Sequence, residues 1–545
     1  MQRKPLAFCA ALLTALGVVL SFGTFTHAQS LPPAPGSTAS AGDWLRRGQV
    51  LEGERRWGEA LTYYEEALRQ FPADGDLKRR FDSARLHYDL GRRYNDRSYR
   101  DGLVRMSFPD TLDLYNEVLL KVQAHYVDGP KWKQWVAGGE GGLEVAMSEP
   151  AFLQANSARA AEQALEKLRQ ELHQALASRT IASRSDACGA VAVLAGLARD
   201  RLGVEANAVV MEFVCATANS LDPYSAYLTP DQLAETYAQI EGHFVGLGVE
   251  LKAQDGVLLI VRVIPNSPAK QGGVREGDRI VAVGGRSTRE LCTDRAANLL
   301  QGDEGTVVSL SVVSPGGEPR EVKLKRQRVD VPSVDEVQLL DQRKGIAYLK
   351  LTCFQKTTHH DLEAALWNLH RMGMRCLIVD LKGNPGGLLT AAVEAADLFL
   401  QRGVIVTTRG RNAEEDFAYS AREAGTWRVP LVVLIDQDSA SAAEIFAGAI
   451  RDHNRGTVVG TRSYGKGSIQ GIFPLNSGNG GLRLTTAKFY SPSGYPYAGI
   501  GVEPHVLVYQ AAKPITGAGL ASVPSNQDAI LAAGLQVARQ MLTQQ

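Results

Sequence analysis

Ser439-Ala440-Ser441-Ala442-Ala443-Glu444-Ile445-Phe446-Ala447-Gly448-Ala449 is the stretch that orders the rest of this 545-residue chain. The apolar run from Leu431 to Ile435 before it predicts a short buried strand, and the alanine-rich run from Ala442 to Ile450 predicts a helix. Ser441 therefore falls where a strand turns into a helix, beside unpaired amides and the positive end of the helix dipole. A serine in that place is ordinarily an N-cap. The same place suits a nucleophile whose product is an oxyanion.

Downstream lies Tyr464-Gly465-Lys466-Gly467-Ser468-Ile469-Gln470. A serine hydroxyl needs a base, and a lysine held neutral by burial can be one. Glycines on both sides of Lys466 let backbone approach and shield the amine, although an arbitrary G-K-G is more often an exposed loop. No histidine occupies the place of a general base: His453 is three helical turns from Ser441, and nothing favours a triad drawn from His359, His360 or His370. Glu444, three residues after Ser441, is within reach of the site. Asp452 lies about 16 Å along the same helix face and reads as structural.

Together these blocks resemble the serine–lysine dyad of the carboxyl-terminal processing (tail-specific) proteases, whose pattern is S-A-S-A-x-E, then G-K-G, then a glutamine four residues after the lysine. The resemblance implies Ser441 as nucleophile, Lys466 as base and Gln470 as the residue orienting the lysine. Cys376-Leu377-Ile378-Val379-Asp380 predicts another buried strand, followed by Leu381-Lys382-Gly383-Asn384-Pro385-Gly386-Gly387 and a helix from Leu388 to Leu400. That turn resembles the family's D-L-R-x-N-P-G-G, with Lys382 and Gly383 replacing Arg and Asn. It implies an oxyanion hole from the amides of Gly387 and Ala442, with Gly386 alongside.

The remaining chain divides by composition and pattern. Basic and acidic residues number 59 each, so no global charge points to nucleic acid. A basic start, an apolar run from Leu6 to Phe25 and small residues at Thr26 and Ala28 predict a signal peptide over 1–28. This places the protein in the periplasm or cell envelope, or anchors it there if the segment stays uncleaved. Residues 29–40 read as a linker. Trp44, Gly48, Leu51, Ala60, Tyr64, Ala67 and Pro72 match a tetratricopeptide (TPR) repeat, giving a TPR-like helical region over 41–107. One repeat buries too little surface alone, so docking on neighbouring helices, self-association or an adaptor protein is expected.

Residues 108–240 read as mostly helical, with Leu165, Leu168, Leu172 and Leu176 as a packing stripe. His125-Tyr126-Val127-Asp128 and Leu221-Asp222-Pro223-Tyr224-Ser225-Ala226-Tyr227-Leu228 resemble the family's amino-terminal helical part, with 130–205 as an insertion. Residues 241–330 resemble a PDZ domain through Gly246-Leu247-Gly248-Val249 and Arg275-Glu276-Gly277-Asp278-Arg279-Ile280-Val281-Ala282-Val283. This implies that the amides of Leu247, Gly248 and Val249 bind a peptide's terminal carboxylate, with a helix from Thr288 to Leu300 as the opposite wall. Gln301 stands where relatives often carry a basic residue.

Five cysteines remain after the signal, an odd set that argues against a disulfide framework; Cys353 and Cys376 read as strand residues. No H-E-x-x-H or paired C-x-x-C is present, and neither metal nor cofactor is implied. The fold expected is a crotonase-like α/β core of the S41 type over 335–510, an inserted PDZ domain, an all-α amino-terminal region, and a tail over 511–545 comprising a loop and a terminal helix. The function expected is an exported serine endopeptidase that captures free carboxyl termini. The alternative is an inactive PDZ/TPR scaffold, against which intact Ser441, Lys466 and Gln470 argue.

Overall fold

The computed structural model describes residues 12–14, 40–156, 162–254, 257–288, 299–300, 302–422, 425–509 and 528–544. Most of the signal segment, most of the linker, most of the Thr288–Leu300 helix and the 511–524 loop lie outside them.

The core sheet runs Val334–Asp341, Ile346–Leu351, Cys376–Asp380, Leu431–Ile435, Thr457–Gly460 and Val506–Leu507, adjacent in chain order. All pairs after the first are parallel. Every residue of Cys376–Asp380 and Leu431–Ile435 is buried, because both faces of the sheet are covered. Helices Thr358–Arg371, Leu389–Asp397 and Ala442–Asp452 cover one face through Leu366, Ala392 and Phe446. The terminal helix Ala529–Thr543 covers the other with Ile530 and Ala538. The turns after Asp380 and Ile435 emerge at the carboxyl ends of neighbouring parallel strands, the edge where α/β sheets place their chemistry. Cys353 lies just past its strand and is half-buried, correcting the expectation of a strand position.

An antiparallel sheet adjoins this layer. Ser468–Pro474 pairs with Gly481–Tyr490, which also pairs with Val404–Gly410 and with Ala226–Leu228. Leu12–Thr14 lies along the outer edge of Ser468–Pro474. Ala226–Leu228 belongs to the helical region, so the chain before the PDZ domain contributes a strand beside the lysine's sheet. Helices Phe108–His125, Trp132–Ser148, Arg184–Leu202 and Ala206–Asn219 share one core with Leu482 and Leu484 of that sheet and with Leu475 just past its strand. Trp135, Leu143, Leu168 and Leu172, within 130–205, pack into it. The segment read as an insertion is thus part of the central helical core.

Ahead of it, Ala41–Gly53 and Trp57–Gln70 form a hairpin closed by Gly75–Asn95. A Cβ at Gly48 would stand 2.3 Å from the Tyr64 ring, so the small and large positions interlock. Arg55 and His87 bind Glu149, fixing this unit to the helical region.

The PDZ region has its own core around Ile260, Ile280 and Leu310. Its sheet runs Val249–Gln254, Val257–Val263, Arg279–Val283, Val307–Val313 and Pro319–Lys325. Chain entry and exit pair as His243–Gly246 with Gln327–Asp330, and Arg262 bridges to Asp335 of the core at 2.6 Å.

Candidate active site

Ser441 does not adopt the extended conformation of an ordinary N-cap. Its φ is +57° and ψ −113°, a backbone state that costs a non-glycine residue about 1–3 kcal/mol. The side chain is fully buried, and its hydroxyl makes no hydrogen bond among the described residues. Backbone strain at a buried serine with an unengaged hydroxyl fits a nucleophile better than a helix stop.

Glu444 explains how this geometry persists. Its Oε2 accepts the N–H of Ser441 at 2.7 Å and that of Lys466 at 2.8 Å. Its Oε1 accepts the Ser463 hydroxyl at 2.6 Å and the Gly465 N–H at 2.7 Å. Burial pushes the carboxyl up, while these hydrogen bonds pull it back. All these partners donate, so the ionised form satisfies both oxygens. The sequence placed Glu444 near the site; its role as the tie between the serine and lysine loops was not legible, because it depends on the fold returning Ser463–Lys466 to the start of the helix.

Lys466 is buried, with its Nζ 4.6 Å from the centre of the Tyr224 ring. Loss of water and, after it, the charge of Arg483 lower its pKa, Glu444 and Asp222 oppose them, and the net result is about 7. A lysine with that value is partly neutral at physiological pH and can accept a proton. Gln470, also buried, lies on Ser468–Pro474 beyond the lysine and donates its amide to Ser468 Oγ at 3.0 Å and Thr485 Oγ1 at 3.1 Å.

The second glycine turn meets Ser441 directly. Gly386 has φ +101°, and a Cβ there would lie 2.7 Å from Ser441 Cβ and 2.8 Å from the Ala442 nitrogen. Gly387, at φ +143°, backs onto the Phe354 main chain, where a Cβ would meet the carbonyl oxygen at 2.0 Å. Asn384 braces the turn: its side chain donates to Leu351 O and accepts from Gly386 N–H, while its own carbonyl accepts from Ala440 N–H. Lys382, in the place of the family's Arg, pairs with Asp380 at 3.3 Å and also with Asp528 of the terminal helix. Ala442 opens the helix that follows Ser441.

Asp452 serves Arg451 and the Ser493 amide, and His453 Nε2 sits against Val404 O at 2.7 Å. His370 packs between Trp367 and Trp427. In the PDZ loop, Leu247 is buried and Gly248 has φ +77°, where a Cβ would collide with Ser267. Arg69 of the amino-terminal hairpin binds Asp438 at 3.1 Å, three residues before the serine.

The chain matches the family model of peptidase family S41 over residues 345–508 and a PDZ domain model over 259–314. It is 37% identical over 297 residues to a carboxy-terminal-processing protease of Bartonella bacilliformis, covering 53% of this chain and 67% of the relative. A carboxyl-terminal-processing protease of Synechocystis is 36% identical over 294 residues, covering 53% of this chain and 68% of that one. A solved structure, the photosystem II D1 C-terminal processing protease, aligns with 73% of this chain and 92% of its own, at 25% identity and a TM-score of 0.40. With its PDZ domain and α/β core, the chain belongs to peptidase family S41, among the carboxyl-terminal-processing serine proteases.

Proposed function

We propose that the protein is an exported endopeptidase that holds a substrate's free carboxyl terminus in its PDZ groove and cleaves with Ser441, activated by Lys466. One observation carries the dyad: a single buried carboxylate, Glu444, binds the amides of both residues while burial brings the lysine to about 7. Neutral Lys466 takes the hydroxyl proton as Oγ attacks the scissile carbonyl carbon. The amides of Ala442 and Gly387 receive the oxyanion. The lysine ammonium then protonates the departing amine, and water hydrolyses the acyl-enzyme with Lys466 again as base. Gln470 orients the amine. The basic and apolar stretch before Ala28 supports export. The amino-terminal hairpin, with the interlocked positions of a TPR repeat, serves recruitment of an adaptor or a second protomer.

The test is cleavage of an unfolded protein with an apolar carboxyl terminus. Ser441→Ala, Lys466→Ala and Lys466→Arg should each abolish it, since arginine stays protonated. Full activity in Lys466→Ala would remove the dyad. Amidating the substrate's terminus should weaken capture by roughly 1.5–3 kcal/mol; equal cleavage of both forms would leave the PDZ groove without that role.

A further inference from the structure

Arg483 lies on the strand Gly481–Tyr490, opposite Ala226. Its Nε donates to the Tyr224 carbonyl at 2.8 Å. The ring of the same Tyr224 is the surface on which the Lys466 Nζ rests at 4.6 Å. One residue of the Leu221–Leu228 segment thus anchors a guanidinium through its backbone and a lysine through its side chain. Asp222 fixes the loop by accepting from the amides of Tyr224 and Ser225 and from the Ser225 hydroxyl.

We propose that Arg483 is a positioning residue for the reaction, its fixed positive charge beside Lys466 opposing a second charge on the lysine amine. This rests on the dyad reading above and adds the element that prepares the base. Two like charges held in a water-poor site repel far more strongly than in solvent. The charges acting on Lys466 are Arg483 from the sheet, Asp222 from the loop and Glu444 from the nucleophile helix, with the Tyr224 ring against its Nζ. Arg483 itself faces Asp222 and, from the helix Gly75–Asn95, Asp89, Arg85 and Arg92. The charge of Arg483 is the largest influence after burial that lowers Lys466.

The experiment is the pH dependence of kcat/KM on a short peptide, using the full chain. Arg483→Gln can keep a hydrogen bond to the Tyr224 carbonyl but loses the charge, whereas Arg483→Lys keeps the charge. In Arg483→Gln the acidic limb should move up by about one pH unit, so activity at pH 6 falls about tenfold and recovers by pH 9; Arg483→Lys should stay near wild type. Asp222→Asn preserves the loop's acceptor and should move the limb down, a reading that stands even if Arg483→Gln does not fold. An unmoved limb in Arg483→Gln, with activity lowered equally at all pH values, overturns the inference, and so does an unmoved limb in Asp222→Asn. Lys466→Ala is the control: if it is inactive while those limbs stay put, only the inference about Arg483 falls; if it is active, the dyad itself fails.

Discussion

Glu212 and Glu444 are both carboxylates with almost no exposed surface, and they keep different company. Glu212, in the helical region, takes Arg93 at 2.6 Å and the Tyr94 hydroxyl at 3.0 Å. Its charge is cancelled where it sits, and the cluster ties the helix Gly75–Asn95 to Ala206–Asn219. Glu444 takes backbone amides and one hydroxyl, all neutral donors. Its charge is solvated by dipoles rather than paired by contact, and it reaches Lys466 as a field. A buried ion pair fixes structure; a buried ion held by amides can also set the protonation of a neighbour.

The largest effect expected from this contrast is at Lys466. Lys466→Met should lower kcat/KM by about three orders of magnitude or more, while making the protein more stable. The folded lysine titrates near 7 and the unfolded one near 10.5. Between those values the unfolded chain carries a proton the folded one lacks, so wild-type stability climbs with pH across that window. Methionine removes the climb. Its advantage should be greatest below pH 7, roughly 3–5 kcal/mol, and fade towards pH 10.5. Chemical denaturation at pH 6 and pH 9 checks this; a variant less stable than wild type at both would break the contrast.

Next comes Glu212→Ala, which leaves Arg93 buried without its partner. It should cost about 3–5 kcal/mol of stability while kcat/KM of the folded fraction stays within about twofold. A shifted pH profile in this variant would mean that the helical cluster also reaches the base.

Smallest is Glu444→Gln, which puts an NH2 group where a carboxylate oxygen faced donors, at a cost of about 1–3 kcal/mol. Turnover should fall about tenfold or more, and the acidic limb should move down, because a charge that favoured protonated Lys466 has gone. A limb that stays in place would show that Glu444 acts through geometry alone.

Much of this was legible in the chain. Two largely apolar runs foretold buried strands, and the serine, lysine and glycine blocks pointed to one site. What stayed hidden depends on residues distant in sequence. Tyr224 and Arg483 are 259 positions apart and meet only because Ala226–Leu228 joins the antiparallel sheet. Asn384 read as one letter of a turn, yet its side chain and main chain bind two distant segments as well as its own turn. The positive φ of Ser441 leaves no mark in composition, since the same letters spell an ordinary cap.

The contact between Arg69 and Asp438 joins the first hairpin of the chain to the turn before Ser441. Because the serine side chain has no exposed surface, some of the surrounding chain has to yield before a peptide bond can reach its hydroxyl. An ion pair between two partly exposed side chains is worth at most about 1 kcal/mol, so this fastening resists such a movement only weakly.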